Sequence, residues 1–124
     1  MTTARKTADR DGRPPAGEIF RVLLRMEIHP GRERDFEETW LRVGNAVTGH
    51  PGNLAQWLLR GTADEEANGS VYYIVSDWTD EPSFRAFESS AAHVRHRELL
   101  HPYRGAGSMT TMRMVYALRG AGAG

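Results

Sequence analysis

Hydrophobic and polar positions alternate from Ile19 to Ile28. Phe20, Val22, Leu24, Met26 and Ile28 fall on one side, while Arg21, Arg25 and Glu27 share the other with Ile19 and Leu23. A period of two is that of a strand, here buried on one face and partly covered on the other. His29-Pro30-Gly31 breaks the pattern, and from Arg32 the period lengthens. Phe36, Trp40, Val43 and Val47 recur at steps of four, three and four, with Glu33, Arg34, Glu37 and Glu38 outside, the stripe of an amphipathic helix ending near Gly49. Leu54 to Arg60 is short, apolar and bounded by turns, and Val71 to Trp78 is rich in β-branched and aromatic residues. Both read as strands, paired as a hairpin around the polar loop Gly61 to Ser70 with its Asn68-Gly69.

A second helix opens at Thr79 to Pro82, with Thr79 or Asp80 as N-cap and Pro82 in the first turn. Phe84, Phe87, Ala91 and Val94 keep helical spacing to about Leu100, where His101-Pro102 ends it. After a glycine-rich link, Met112, Met114, Tyr116 and Leu118 alternate in a last strand over Met109 to Leu118. The order β-α-β-β-α-β predicts an α+β, ferredoxin-like sandwich: a four-stranded antiparallel sheet with both helices on one face. Residues 1–17 show no periodicity and read as a flexible arm, residues 18–119 as the domain, and residues 120–124 as a flexible tail. The helices cover one face only. Leu23, and either the Val71/Tyr73/Val75 set or the Tyr72/Ile74 set, must therefore meet something else, and a homodimer packed sheet to sheet is the expected cover.

Composition narrows the function classes. At 124 residues the chain is one domain, and no apolar run approaches a membrane span. The polar start carries no secretory signal, so the expected location is cytoplasmic. Sixteen basic residues cancel sixteen acidic ones, which gives no reason to expect nucleic-acid binding. The lack of cysteine removes disulfide, thiol and iron–sulfur chemistry. Lys6 is the only lysine, in the expected arm, and this disfavours Schiff-base catalysis. Gly105-x-Gly107 follows no strand and opens no helix, no serine sits in a G-x-S-x-G elbow, and Asp77 and Asp80 form no spaced acid pair.

The candidate chemistry lies on the second helix. His93, His96 and Arg97, at spacings of three and four, point to one surface and can deprotonate a phenol or present a cation to an oxyanion. On a solvated face the same residues would only pair with Glu88 or Glu98. Two histidines without a third ligand are a weak metal signal, and no metal is expected. Trp78, at the end of the third strand, can wall a flat aromatic ligand and offer its N–H, or it can simply be core. Trp40 and Trp57 read as core. Tyr72 and Tyr73 point to opposite faces, so only one can face a helix-side pocket. Phe84 and Trp57 complete the aromatic candidates for substrate binding.

The run YYIVSDWTDEPSFRAFESSAAHVRHRELLHPY, with Trp78, Phe84, Phe87 and then S-x-x-H-x-x-H-R, resembles the antibiotic-biosynthesis monooxygenase family of dimeric ferredoxin-like proteins. HPGRERDFEETW at the first strand–helix junction fits as well. With HPGNLAQWLLR and LHPYRGAGSM, the chain looks most like members from actinobacterial aromatic polyketide clusters, including those for spore pigments and pentangular polyketides. The resemblance spans about Phe20 to Leu118. It implies oxidation of a phenolic or anthrone polyketide intermediate to a quinone by O₂ as co-substrate, with no metal, flavin or nicotinamide. It further implies that Trp78 lines the pocket, Arg97 holds the substrate or its oxyanion, and His93 or His96 is the helix histidine. Quinone-forming relatives often carry an asparagine where this chain has Ile74, and some carry a tyrosine where it has Phe84. Relatives in pentangular pathways are thought to work with polyketide cyclases, so ring closure without redox change is the alternative implied. Haem degradation, known on the same fold, uses an asparagine not evident here, and a non-catalytic binding module is a third reading.

Overall fold

The computed structural model describes residues 19–63 and 69–123. The expected arm over residues 1–17 and the Asn68 position of the hairpin loop lie outside the described residues, as does Gly124. Four strands, β1 (Phe20–Ile28), β2 (Asn53–Arg60), β3 (Ser70–Trp78) and β4 (Arg104–Arg113), form one sheet in the order β2-β3-β1-β4, and every neighbouring pair is antiparallel. Helices α1 (Glu33–Val47), α2 (Glu81–Glu88) and α3 (Ala91–Leu100) supply the second layer. This is the ferredoxin-like sandwich that the periodicities predict. Among the described residues no helix is long and apolar enough to cross a membrane.

The alternation of β1 sets the core. Phe20, Val22, Met26 and Ile28 are buried against the helices, and opposite them in register Tyr72, Ile74 and Trp78 of β3 face the same way. Helix α1 buries Phe36, Val43 and Val47 of its predicted stripe, together with Thr39 and Gly44. The apolar side chains form two clusters, one around Trp78, Phe84 and Phe87 and the other around Phe36, Tyr72 and Ile74, and Leu24 packs between them only half-buried. At the β3 entrance Gly69 has φ +89°, and a Cβ there would stand 1.9 Å from the Ile28 carbonyl oxygen, so no other residue fits.

The second helix and the last strand depart from the expectation. The second helix is two helices, broken at Ser89-Ser90. The hydroxyl of Ser89 donates to the Arg85 and Ala86 carbonyls, that of Ser90 donates to the Phe87 carbonyl, and Ser90 then caps α3 by accepting from the His93 N–H. Hydroxyls that satisfy backbone groups this way compete with continuous helix. The helical spacing runs on through Ala91 and Val94, yet both are exposed. The N-cap of α2 is Asp80, which accepts from the Ser83 N–H at 2.8 Å. The last strand begins at Arg104 and ends at Arg113, several residues earlier than the Met109 to Leu118 reading. Its glycines are strand residues, Gly107 paired with Met26 of β1 and Gly105 in the irregularity beside it, and Tyr116 and Leu118 lie beyond the strand, almost fully exposed.

The sheet face away from the helices carries Leu23, Tyr73 and Val75, with Trp57 and Leu59 about half exposed. Of the two β3 sets, Val71/Tyr73/Val75 is thus the outward one. Trp57 is not the core residue expected from its strand; it pairs with Val75 on this open face, under the Arg21 guanidinium. Arg21 holds the buried Asp77 carboxylate through two hydrogen bonds of 2.7 and 2.8 Å.

Candidate active site

A cavity of about 340 Å³ lies between the sheet and the α2–α3 pair. That is within the roughly 300–1,000 Å³ typical of small-molecule sites. Val22, Leu24, Ile74, Ser76 and Trp78 make its floor, Trp40 and Val43 of α1 one wall, and Phe84, Phe87, His93, His96 and Arg97 the other. Strand alternation supplies the floor, because every second residue of β1 and β3 points this way. The break at Ser90 supplies the room: the backbone is extended there, and α3 starts afresh and buries only Leu100.

Phe87 organises the aromatic wall. Its ring stands 5.1 Å from Trp78, 5.1 Å from His93 and 6.2 Å from His96. Trp78 is buried and meets Phe84 edge-on at 5.6 Å. The sequence leaves its indole N–H free for a ligand; here it donates instead to the Ser76 hydroxyl at 3.0 Å. Trp78 therefore offers the cavity an apolar surface and no donor. His50, read from sequence only as part of a turn, sets its ring edge against both Trp78 and Phe87 and accepts the Gly52 N–H at its Nδ1.

The two histidines on α3 have unspent nitrogens. The Nδ1 atoms of His93 and His96 are buried with no hydrogen-bond partner among the described residues. Burial holds the pKa of each below its ordinary value, helped at His93 by the Arg97 charge and at His96 by His93 and then Arg95; Glu88 opposes the shift at His93. Both imidazoles are consequently neutral at pH 7, the form that accepts a proton. Arg97 is exposed on its outer side and supplies the positive charge beside them. Glu88 also lines the cavity, but Arg85 holds its carboxylate at 3.0 Å. Among the described residues no three His, Asp or Glu side chains converge as a metal-binding group.

Of the sequence candidates, the structure brings Trp78, Phe84, His93, His96 and Arg97 around one cavity. Tyr72 points to the helix side but sits beneath α1, where its hydroxyl donates to Glu37; burial first, then that acceptor, pushes its pKa far above the ordinary value. Tyr73 and Trp57 stand on the open face, with the sheet between them and the cavity. Sequence reasoning missed Phe87 and Arg104 as lining residues. Phe87 reads from sequence as helix spacing and as part of the family-like run, without a site role, and Arg104 falls in what reads as a link.

Residues 19–99 match the model of a family described as antibiotic biosynthesis monooxygenase. Protein SchA of Streptomyces halstedii is 29% identical over 94 residues, which is 75% of this chain and 24% of SchA. The 42.8 kDa protein in the whiE locus of Streptomyces coelicolor is 24% identical over 78 residues, 63% of this chain and 19% of that protein. The chain thus spans about a quarter or less of the length of these curated relatives. Among solved structures, a variant of SnoaB, a cofactor-independent oxygenase from Streptomyces nogalater, superposes with a TM-score of 0.71 at 21% identity, over 82% of this chain and 97% of that one.

Proposed function

This chain belongs to the antibiotic biosynthesis monooxygenase family, and from that membership we propose that it oxidises an aromatic polyketide intermediate, a phenol or anthrone, to a quinone with O₂. The observation that carries the reading is one cavity in which an aromatic wall of Trp78, Phe84 and Phe87 meets two neutral histidines and an arginine. The aromatic rings hold a flat substrate. His93 or His96, whose imidazoles line the cavity, takes its proton, and Arg97 faces the oxyanion that results. An electron-rich anion can pass an electron to O₂ directly, so the substrate is the reductant and no flavin, nicotinamide or metal is required. In balance, a CH₂ and O₂ become C=O and H₂O. The low-polarity floor of Val22, Leu24 and Ile74 keeps water from the anion.

The same floor favours a second reading. Ile74 and Phe84 put no polar group where many quinone-forming relatives have one, and an apolar mould that folds a polyketide for ring closure needs none. One experiment separates the two. Incubation of the full chain with an anthrone under ¹⁸O₂ should give quinone carrying one labelled oxygen, with no turnover under nitrogen. Oxidation no faster than the autoxidation background, together with ring closure of a linear poly-β-ketone that the protein accelerates under nitrogen, would replace oxygenation by cyclisation. The partners proposed are a polyketide small molecule, a second copy of the chain covering Leu23, Trp57, Leu59 and Val75, and polyketide cyclases. A monomer by sedimentation, with Leu59→Arg changing nothing, would overturn the homodimer.

A further inference from the structure

The cavity is apolar along most of its length and ends in two cations. Arg97 comes from α3 and Arg104 opens β4, and both also border an adjoining cleft of about 180 Å³ with Val94, Glu98 and His101. Ion pairs among the described residues engage Arg21, Arg25, Arg32, Arg60 and Arg85 and leave out both of these. Arg104 is the more constrained of the two. It is half-buried, and its Nε is buried with no hydrogen-bond partner. Its Nη2 lies 2.5 Å from the point where a Cβ would stand on residue 107, and the Arg25 carbonyl oxygen lies 2.9 Å from that same point. The side chain therefore runs forward along its own strand across Gly107, and only glycine leaves it that path.

A guanidinium charge left unpaired at the end of an apolar cavity is unfavourable unless a ligand supplies an anion. A guanidinium held flat in one place is a planar fork of donors that matches a carboxylate at two points. The neighbouring acids do not fill that role: Glu88 is held by Arg85, and Glu98 makes no ion pair among the described residues. The neutral His93 and His96 leave the positive charge of this end to the arginines.

We infer that Arg104, lying across Gly107, anchors a carboxylate on the ligand, so that the substrate class is polycyclic aromatic acids. The inference rests on the reading that the cavity holds an aromatic substrate, and its test involves no turnover, so a failure to consume oxygen would leave it standing. Anthraquinone-2-carboxylate and the neutral 2-(hydroxymethyl)anthraquinone are titrated calorimetrically into the full chain. The carboxylate should bind about tenfold more tightly, as a charge-assisted bidentate contact implies. Arg104→Gln should remove that preference and leave the affinity for the alcohol within about twofold, which also shows that the variant is folded. Arg104→Lys should restore part of the preference, having the charge without the fork. Gly107→Ala should act in the same direction as Arg104→Gln by displacing the guanidinium. Equal affinity of the two compounds for the unsubstituted chain, an equal loss of both in Arg104→Gln, or binding of neither would overturn the assignment.

Discussion

The two halves of the sheet–helix sandwich are built from similar parts and packed differently. In the first, β1–α1–β2, one continuous helix presses Phe36, Thr39, Val43 and Val47 into the sheet. In the second, β3–α2–α3–β4, the helix is cut at Ser90, and α3 gives up only Leu100 to the interior. The space that α3 does not fill is the cavity, and Leu24, the mid-strand residue beneath it, is left half-buried. Packing and function are thus divided between the halves. One helix supplies stability through its apolar stripe, while the other is capped at Ser90 so that its polar residues can face the cavity.

The largest effect should come from the well-packed half. Phe36→Ala, at a fully buried position, should cost about 3–5 kcal/mol in urea unfolding. Val94→Ala on α3 should change stability by less than about 0.5 kcal/mol, because that side chain is half exposed. Similar losses at the two positions would erase the contrast. A smaller effect should appear at the cap. Ser90→Ala removes the acceptor of the His93 N–H and should cost about 1 kcal/mol. Amide exchange should quicken through α3 and remain slow in α1; quickening in both would mean that the helices open as one unit.

The smallest effect is a pH dependence. His93 and His96 bind protons less readily folded than unfolded. Their contribution is complete above the ordinary histidine pKa of 6.5. As pH falls below it, the unfolded chain takes up protons that the folded one refuses, so stability declines towards the lowered folded pKa values. Urea midpoints should fall on acidification through this window, and the fall should be shallower in His93→Gln/His96→Gln. An unchanged slope in that double variant would assign the dependence elsewhere.

Much of this division was legible in the sequence, and the failures have physical causes. The alternation of β1 and the stripe of α1 each follow from one dominant local pattern, and the structure matches them; of the two N-caps open to α2, Thr79 and Asp80, it takes Asp80. The split at Ser89-Ser90 was hidden because Phe84, Phe87, Ala91 and Val94 keep helical spacing across it, and spacing does not report which residues are buried. Strand β4 was displaced because Gly105 and Gly107 read as breakers, whereas here a glycine makes way for the Arg104 side chain. The spacing of His93, His96 and Arg97 placed them on one surface. Trp57 could not be assigned to a face, since that depends on the register irregularity between Asn53 and Ala55 against β3. Arg104 carries no local signal at all; only the return of β4 beside β1 brings it to the cavity.

The central claim is that the groups on α3 deprotonate an aromatic substrate that then reduces O₂. Its most direct test is oxygen uptake by chelator-treated protein given 1,8-dihydroxyanthrone. Uptake should exceed autoxidation and fall about a hundredfold in His93→Gln/His96→Gln, as loss of a general base implies, while the melting temperature at neutral pH is retained. Uptake at the autoxidation rate, or catalysed uptake that the double variant leaves intact, would contradict the account.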